Sequence, residues 1–251
     1  MQPSDDSGFE RFREGLAGQV LPPFAVRASR TPLVVAVEGP NGAGKTTLCA
    51  ALADSLGAPS CLGIDPAWFS EAFKVRMIRD AEWFSSAMFF LSGCCEQMRV
   101  LRTSAAPLVI MDRSLWSTLA VHAAEGFQRL DAVLSMLQPV AAEIRVPDFT
   151  LILEASFETC QARISHKEGV PRDLDALTAT RGFHAREHEF YRWLGRQRPT
   201  VRFLNVDALT AGGAAAAALM LVRRVLLDTP MSIVSDPKGG GAPEASRAAP
   251  C

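Results

Sequence analysis

Gly39-Pro40-Asn41-Gly42-Ala43-Gly44-Lys45-Thr46 is the stretch that decides the architecture. It follows the apolar run Leu33–Val37, and Thr46 opens a stretch of helical pattern. Glycines in these positions let the backbone curl until successive N–H groups converge, with the positive end of a helix behind them. Such a nest holds phosphate oxygens. Gly39, Asn41, Gly42, Ala43, Gly44, Lys45, Thr46 and Thr47 would line it. Lys45 would bridge the β- and γ-phosphates, and the Thr46 hydroxyl would ligate Mg²⁺. The reading is a chain that binds a nucleoside triphosphate with Mg²⁺.

Outward from this loop, short β-rich runs alternate with longer helical ones. Strands are predicted at Leu33–Val37, Ser60–Ile64, Leu108–Met111, Thr150–Leu153 and Val201–Val206. Helical patterns run over 46–56, 67–103, 117–143, 157–165, 175–196 and 213–227. Continuous apolar strands separated by helices give an α/β protein with a five-stranded, mostly parallel sheet covered on both faces. With the loop, this is a P-loop NTPase fold occupying 31–227. Residues 1–30 form an N-terminal arm, with Phe9, Phe12, Leu16 and Val20 at helical spacing before Pro22-Pro23. The arm either docks on the body or a partner subunit, or is a partly ordered extension. Residues 228–251, rich in Gly, Pro, Ala and Ser, read as a flexible tail.

Composition narrows the function. Of 251 residues, 48% are apolar, enough for a sizeable core, and the formal charge is −1. A near-neutral chain is not built to wrap a nucleic acid polymer or coat an anionic membrane. The small-apolar run Ala214–Val222 is far shorter than the ~18 residues of a membrane span. The six Cys form no C-x-x-C pair or zinc spacing, and the first residues carry no basic start and apolar run. The expectation is a cytoplasmic protein with reduced thiols.

Asp112-Arg113-Ser114 ends an apolar strand at the sheet edge where α/β proteins bind ligands. There Asp112 would hold Mg²⁺-bound water while the Arg113 guanidinium clamps a phosphate. A GTPase would need an N-K-x-D guanine reader, which the chain lacks. Leu91-Ser92-Gly93 followed by Val109-Ile110-Met111-Asp112 has a superficial look of ABC-type ATPases. It begins too soon after Lys45, however, and Arg113 stands where their water-activating Glu belongs. Small-molecule kinases are left.

Three segments carry a resemblance to a known family. Val35-Ala36-Val37-Glu38 with the loop through Thr47, Asp112-Arg113-Ser114-Leu115-Trp116-Ser117-Thr118-Leu119-Ala120-Val121-His122, and Pro147-Asp148-Phe149-Thr150-Leu151-Ile152-Leu153 resemble the thymidylate kinase family. Phe183-His184, Tyr191 and Asn205-Val206-Asp207-Ala208 fall in family order, so the similarity spans 33–225. The resemblance implies γ-phosphoryl transfer from ATP to a nucleoside monophosphate or nucleoside-like acceptor. It implies an acceptor site at Asn41, Phe90, Arg113, Ser117, Thr118 and His122. It also implies a lid over 163–174 that brings Arg163, Lys167 and Arg172 to the phosphates. The departures cluster on the acceptor side. Asn41 replaces the family's acid, Cys94 its base-reading Arg, Val121 its Tyr and His122 its Gln. Of the aromatics between Trp68 and Phe90, Phe90 is expected to stack on the acceptor and the others to be core.

Asp112-Arg113-Ser114 also looks like the D/E-R-S motif of deoxyribonucleoside kinases, and Asp65-Pro66 is similar to their E-P motif. That resemblance gives Asp65 the role of general base on a sugar hydroxyl. The catalytic set is therefore Lys45, Asp65, Arg113 and Arg163, and the acceptor is a phosphate or a hydroxyl. A turn-forming Asp-Pro is the plain alternative for Asp65, a homodimer is open, and a non-catalytic nucleotide-binding regulatory module is the rival class.

Overall fold

Strand β1 (Leu33–Glu38) is buried at every residue. The computed structural model describes residues 6–26, 31–166 and 180–228, and β1 lies at the centre of its sheet. Leu33, Val35 and Val37 pack on one face with Leu48, Leu52 and Val222. Val34 and Ala36 pack on the other with Met98, Leu101 and Met111. A strand covered on both faces has no polar side, hence its unbroken apolar run. Strands β2 (Ser60–Leu62), β3 (Leu108–Asp112), β4 (Phe149–Glu154) and β5 (Val201–Asn205) complete the order β2-β3-β1-β4-β5. All four pairings are parallel, so the sheet expected to be mostly parallel is wholly so. Five carboxyl ends therefore share one rim. The register sets Val37 beside Asp112, one residue before the phosphate loop and Arg113 diverge.

The helices cover both faces. Helix α2 (Lys45–Leu56) and helix α9 (Ala211–Asp228) lie on one. Helices α4 (Trp83–Thr103), α5 (Leu115–Glu125) and α8 (Arg181–Gln197) lie on the other. Two expected helices are broken. The pattern over 67–103 divides into α3 (Glu71–Arg79), capped by the Ser70 hydroxyl, and α4. The pattern over 117–143 divides at Gly126, whose φ of 155° no helix accommodates. Helix α6 (Phe127–Leu137) and a 3-10 turn at Gln138–Glu143 follow. Apolar periodicity survived both breaks, which is why the sequence hid them.

Residues 6–26 pack against the body. Helix α1 (Asp6–Ala17) sinks Phe12 and Leu16 among Leu119, Leu130, Phe190 and Leu194. Phe24 meets Trp116 edge-on at 5.8 Å, and the Ala25 N–H donates to Ile144 O at 3.0 Å. The domain boundary drawn at residue 31 therefore cuts through one core. The reading of 228–251 as a tail lies outside the described residues, Asp228 excepted. Among the described residues, no helix is long and apolar enough to cross a membrane.

Leu16 is 1% exposed, so truncation leaves a cavity that the helices around it fill only in part. Leu16→Ala is expected to lower unfolding stability by about 2–5 kcal/mol, read by urea denaturation.

Candidate active site

The phosphate loop joins the end of β1 to α2. Gly39 and Gly42 have φ of 128° and 82°, and each runs against neighbouring backbone. A Cβ on Gly39 would strike Leu153 O, and one on Gly42 would lie 2.5 Å from Cys160 O. The loop is thus backed onto β4 and helix α7 (Phe157–Ser165) with no room for a side chain. Lys45, at the first turn of α2, is 5% exposed and donates through Nζ to Gly39 O (2.8 Å) and Pro40 O (2.6 Å). Burial, helped by the charge of Arg113, pushes its pKa down to about 7. A cavity of about 390 Å³ opens before the loop. Asn41 through Thr47 line it, with Arg113, Arg163, Val206, Leu209, Thr210 and Ala211 behind.

Thr46 Oγ1 donates to Asp112 Oδ2 at 2.7 Å, bringing together the two residues assigned to the cation. The other oxygen of Asp112 is buried without a partner among the described residues. A hydroxyl, one spare carboxylate oxygen and a neighbouring phosphate nest are hard donors that suit Mg²⁺, which is held by few protein groups plus phosphate.

Arg113 is the one non-glycine with positive φ, 70°, among the described residues. Its guanidinium reaches Asn41 Oδ1 at 2.5 Å and Ser117 Oγ at 3.2 Å, so the acceptor-side clamp is joined directly to the phosphate loop. Beneath it lies Glu38, with no exposed surface. The Glu38 carboxylate accepts from the Ser114 N–H (2.7 Å), the Ser114 hydroxyl (2.6 Å) and the Ser117 hydroxyl. Burial raises its pKa against the opposing pull of these donors and of Arg113. Glu187 of α8 is also buried, its pKa raised by desolvation while Lys45 and Arg113 pull the other way. The sequence reading missed Glu38 and Glu187. An acid closing an otherwise apolar strand was the available signal for the first; Glu187 sits in a polar helix and offered none.

The other expected acceptor residues divide. Thr118 and His122 are buried on α5, and the Thr118 hydroxyl eases a Cys94 thiol that burial pushes up to about 12. His122 Nδ1 lies 3.2 Å from Glu125 Oε2, while its Nε2 has no partner. Phe90 is half-buried and meets Phe89 edge-on at 5.2 Å. Phe89 is the more enclosed of the two and also contacts Phe69 and Phe73. Trp68 and Phe84, expected in the core, are half exposed. Trp68 instead carries the Arg99 guanidinium 4.3 Å above its ring.

Asp65 follows β2, and its Oδ1 accepts from the Ala67 N–H at 2.8 Å, a turn-forming bond. Arg163 lines the nucleotide cavity but is engaged by backbone. It donates to Ala43 O (3.2 Å) and Val206 O (2.9 Å), bracing the loop against the end of β5. Lys167 and Arg172 lie outside the described residues, as does the lid beyond His166.

The family model for deoxynucleoside kinase matches residues 35–207, from the middle of β1 past the end of β5. The chain belongs to the deoxynucleoside kinase family. It is a nucleoside or nucleotide kinase, which removes the non-catalytic regulatory module. Among curated proteins no sequence matches it. Among solved structures, thymidylate kinase from Candida albicans aligns with TM-score 0.63 and 16% identity, over 78% of this chain and 93% of that one. Deoxyadenosine kinase from M. mycoides with bound dATP aligns with TM-score 0.60 and 17% identity, over 76% and 100%. The same enzyme with dCMP and dCDP aligns with TM-score 0.59 and 19% identity, over 78% and 100%. These neighbours share the fold of this kinase.

Lys45→Ala removes the ammonium from the transferring group. Turnover is expected to fall by at least about 10²–10³-fold with an unchanged circular dichroism spectrum. Near-normal turnover would show that the loop does not hold the reacting phosphates.

Proposed function

We propose that this kinase transfers the γ-phosphoryl group of ATP to a hydroxyl of a nucleoside-like acceptor. The observation that carries the reading is the charge around Arg113. Its guanidinium is already shared between Asn41 and Ser117, and the buried carboxylates of Glu38, Asp112 and Glu187 surround it and Lys45. A monophosphate acceptor would bring about two negative charges into this acidic setting. A neutral hydroxyl brings none. Membership in the deoxynucleoside kinase family supports the same choice.

In this mechanism the loop amides and Lys45 hold the β- and γ-phosphates, and Arg113 draws charge from the moving phosphoryl group. Thr46 and Asp112 would hold Mg²⁺, which when bound supplies charge neutralisation between the phosphates. Asp65 takes the proton of the attacking hydroxyl. One of its carboxylate oxygens accepts from the Ala67 N–H. Its loop is close to the clamp, since the Gly63 N–H donates to Asp112 O at 2.9 Å. His122 Nε2, Thr118 and Phe90 supply polar and stacking surface for the acceptor, and Arg163, Lys167 and Arg172 complete the donor side.

The test is a panel of nucleosides and nucleoside monophosphates with ATP and Mg²⁺, scored by ADP release and product mass. Nucleosides are expected to be phosphorylated. Asp65→Asn is expected to lower that rate by about 10²–10⁴-fold while leaving ATP binding intact. Turnover confined to monophosphates, with Asp65→Asn near normal, would overturn the reading in favour of a thymidylate-kinase-like acceptor.

A further inference from the structure

The bond from Gln97 to the backbone of Arg113 has no place in the chemistry above. Gln97 lies on α4, is 2% exposed and donates through Nε2 to Arg113 O at 2.9 Å. Its Oε1 is buried with no partner among the described residues. It shares the lining of a small cavity with Cys61, Leu62, Gly63, Gly93 and Val100. A methionine of the same length would fill that space without leaving an amide oxygen unsatisfied, which costs free energy. The amide is explained by its one bond, and that bond lands on the strained residue.

Two glycines converge on the same point. Gly93, one turn earlier on α4, has no space for a Cβ, which would lie 2.6 Å from Gly63 O. Gly63 in turn faces Arg113, with a built Cβ 3.3 Å from Arg113 Cβ. Helix α4 can therefore approach the end of β3 closely enough for an amide at position 97 to reach across. The Arg113 N–H donates to Val37 O at 3.2 Å, so both peptide groups of this residue are tied. A left-handed backbone at a non-glycine persists only when its surroundings over-determine it. Here β1 ties one side and α4 the other.

We infer that Gln97 is a positioning residue: it holds Arg113 in its left-handed conformation and so aims the guanidinium between Asn41 and Ser117. The inference rests on the assignment of Arg113 to phosphoryl transfer. It adds that the aim is set by the helix that carries Phe90, so the acceptor wall and the clamp move as one.

Three measurements on the full chain test it. The first needs no ligand. In ¹⁵N spectra, the two Nη groups of Arg113, identified by their loss in Arg113→Lys, should be resolved because Asn41 and Ser117 hinder rotation. In Gln97→Met they should merge or broaden.

The second measures turnover of ATP with deoxyadenosine and with dTMP. Gln97→Met should lower kcat by about tenfold or more, since small misplacements of a clamp are costly. KM for ATP should be unchanged and the thermal midpoint should stay within a few degrees.

The third is a double-mutant cycle. Arg113→Gly accepts positive φ without help and has no side chain to aim. Adding Gln97→Met to it should therefore cost less than about twofold. A Gln97→Met protein that unfolds earlier yet keeps wild-type kcat and resolved Nη signals would overturn the inference, as would equal losses in both backgrounds. Failure of the wild type to use either acceptor would count against the proposed function, and the spectra would still decide the role of Gln97.

Discussion

A carboxylate with no exposed surface, Glu38 at the end of β1, organises the rim of this enzyme. It cannot stay charged in the interior unless donors surround it. The fold supplies three from Ser114 and Ser117 at the start of α5. Satisfying that group draws the beginning of α5 down against the end of the central strand. Only Arg113 and Ser114 then lie between β3 and α5, and Arg113 takes a left-handed backbone to make the corner. Ser117, which donates to Glu38, also accepts from Arg113, so one serine serves both the buried anion and the clamp.

The same rim joins the two halves of the chemistry. Asn41 belongs to the phosphate loop and Arg113 follows the end of β3, yet they share a hydrogen bond. Asp112, next to Arg113, receives the Thr46 hydroxyl from the other side of the loop. Parallel pairing of β1 with β3 in the Val37–Asp112 register makes both contacts possible. A shift by one residue would point Asp112 to the opposite face of the sheet.

Much of this was legible beforehand, and the reasons are specific. The loop was readable because Gly39 and Gly42 are enforced by backbone contacts with Leu153 and Cys160, and Gly44 by its positive φ of 97°. Strands β1, β3 and β4 were readable because burial on two faces leaves an unbroken apolar run. The division of α4 from α3, and of α5 from α6, was not readable, since apolar spacing continues across Asp80–Glu82 and Gly126. Gln97 was invisible because a single amide in a long helix carries no pattern; its meaning lies in a contact sixteen residues away. The N-terminal boundary failed for another reason. Pro22-Pro23 breaks a helix, which looks like a linker, but Phe12 and Leu16 before it and Phe24 after it enter one core.

Because all five strands run in one direction, they hand over their functional residues on a single side of the sheet. The opposite edge, where Leu33, Leu108 and Phe149 begin their strands, contributes nothing to the cavity. It does contain the Asp148 carboxylate, which accepts from the Val34 N–H and from Arg145. The molecule thus separates labour between its poles: one end is committed to chemistry, and the other is free to drift in sequence as long as the strand starts remain pinned.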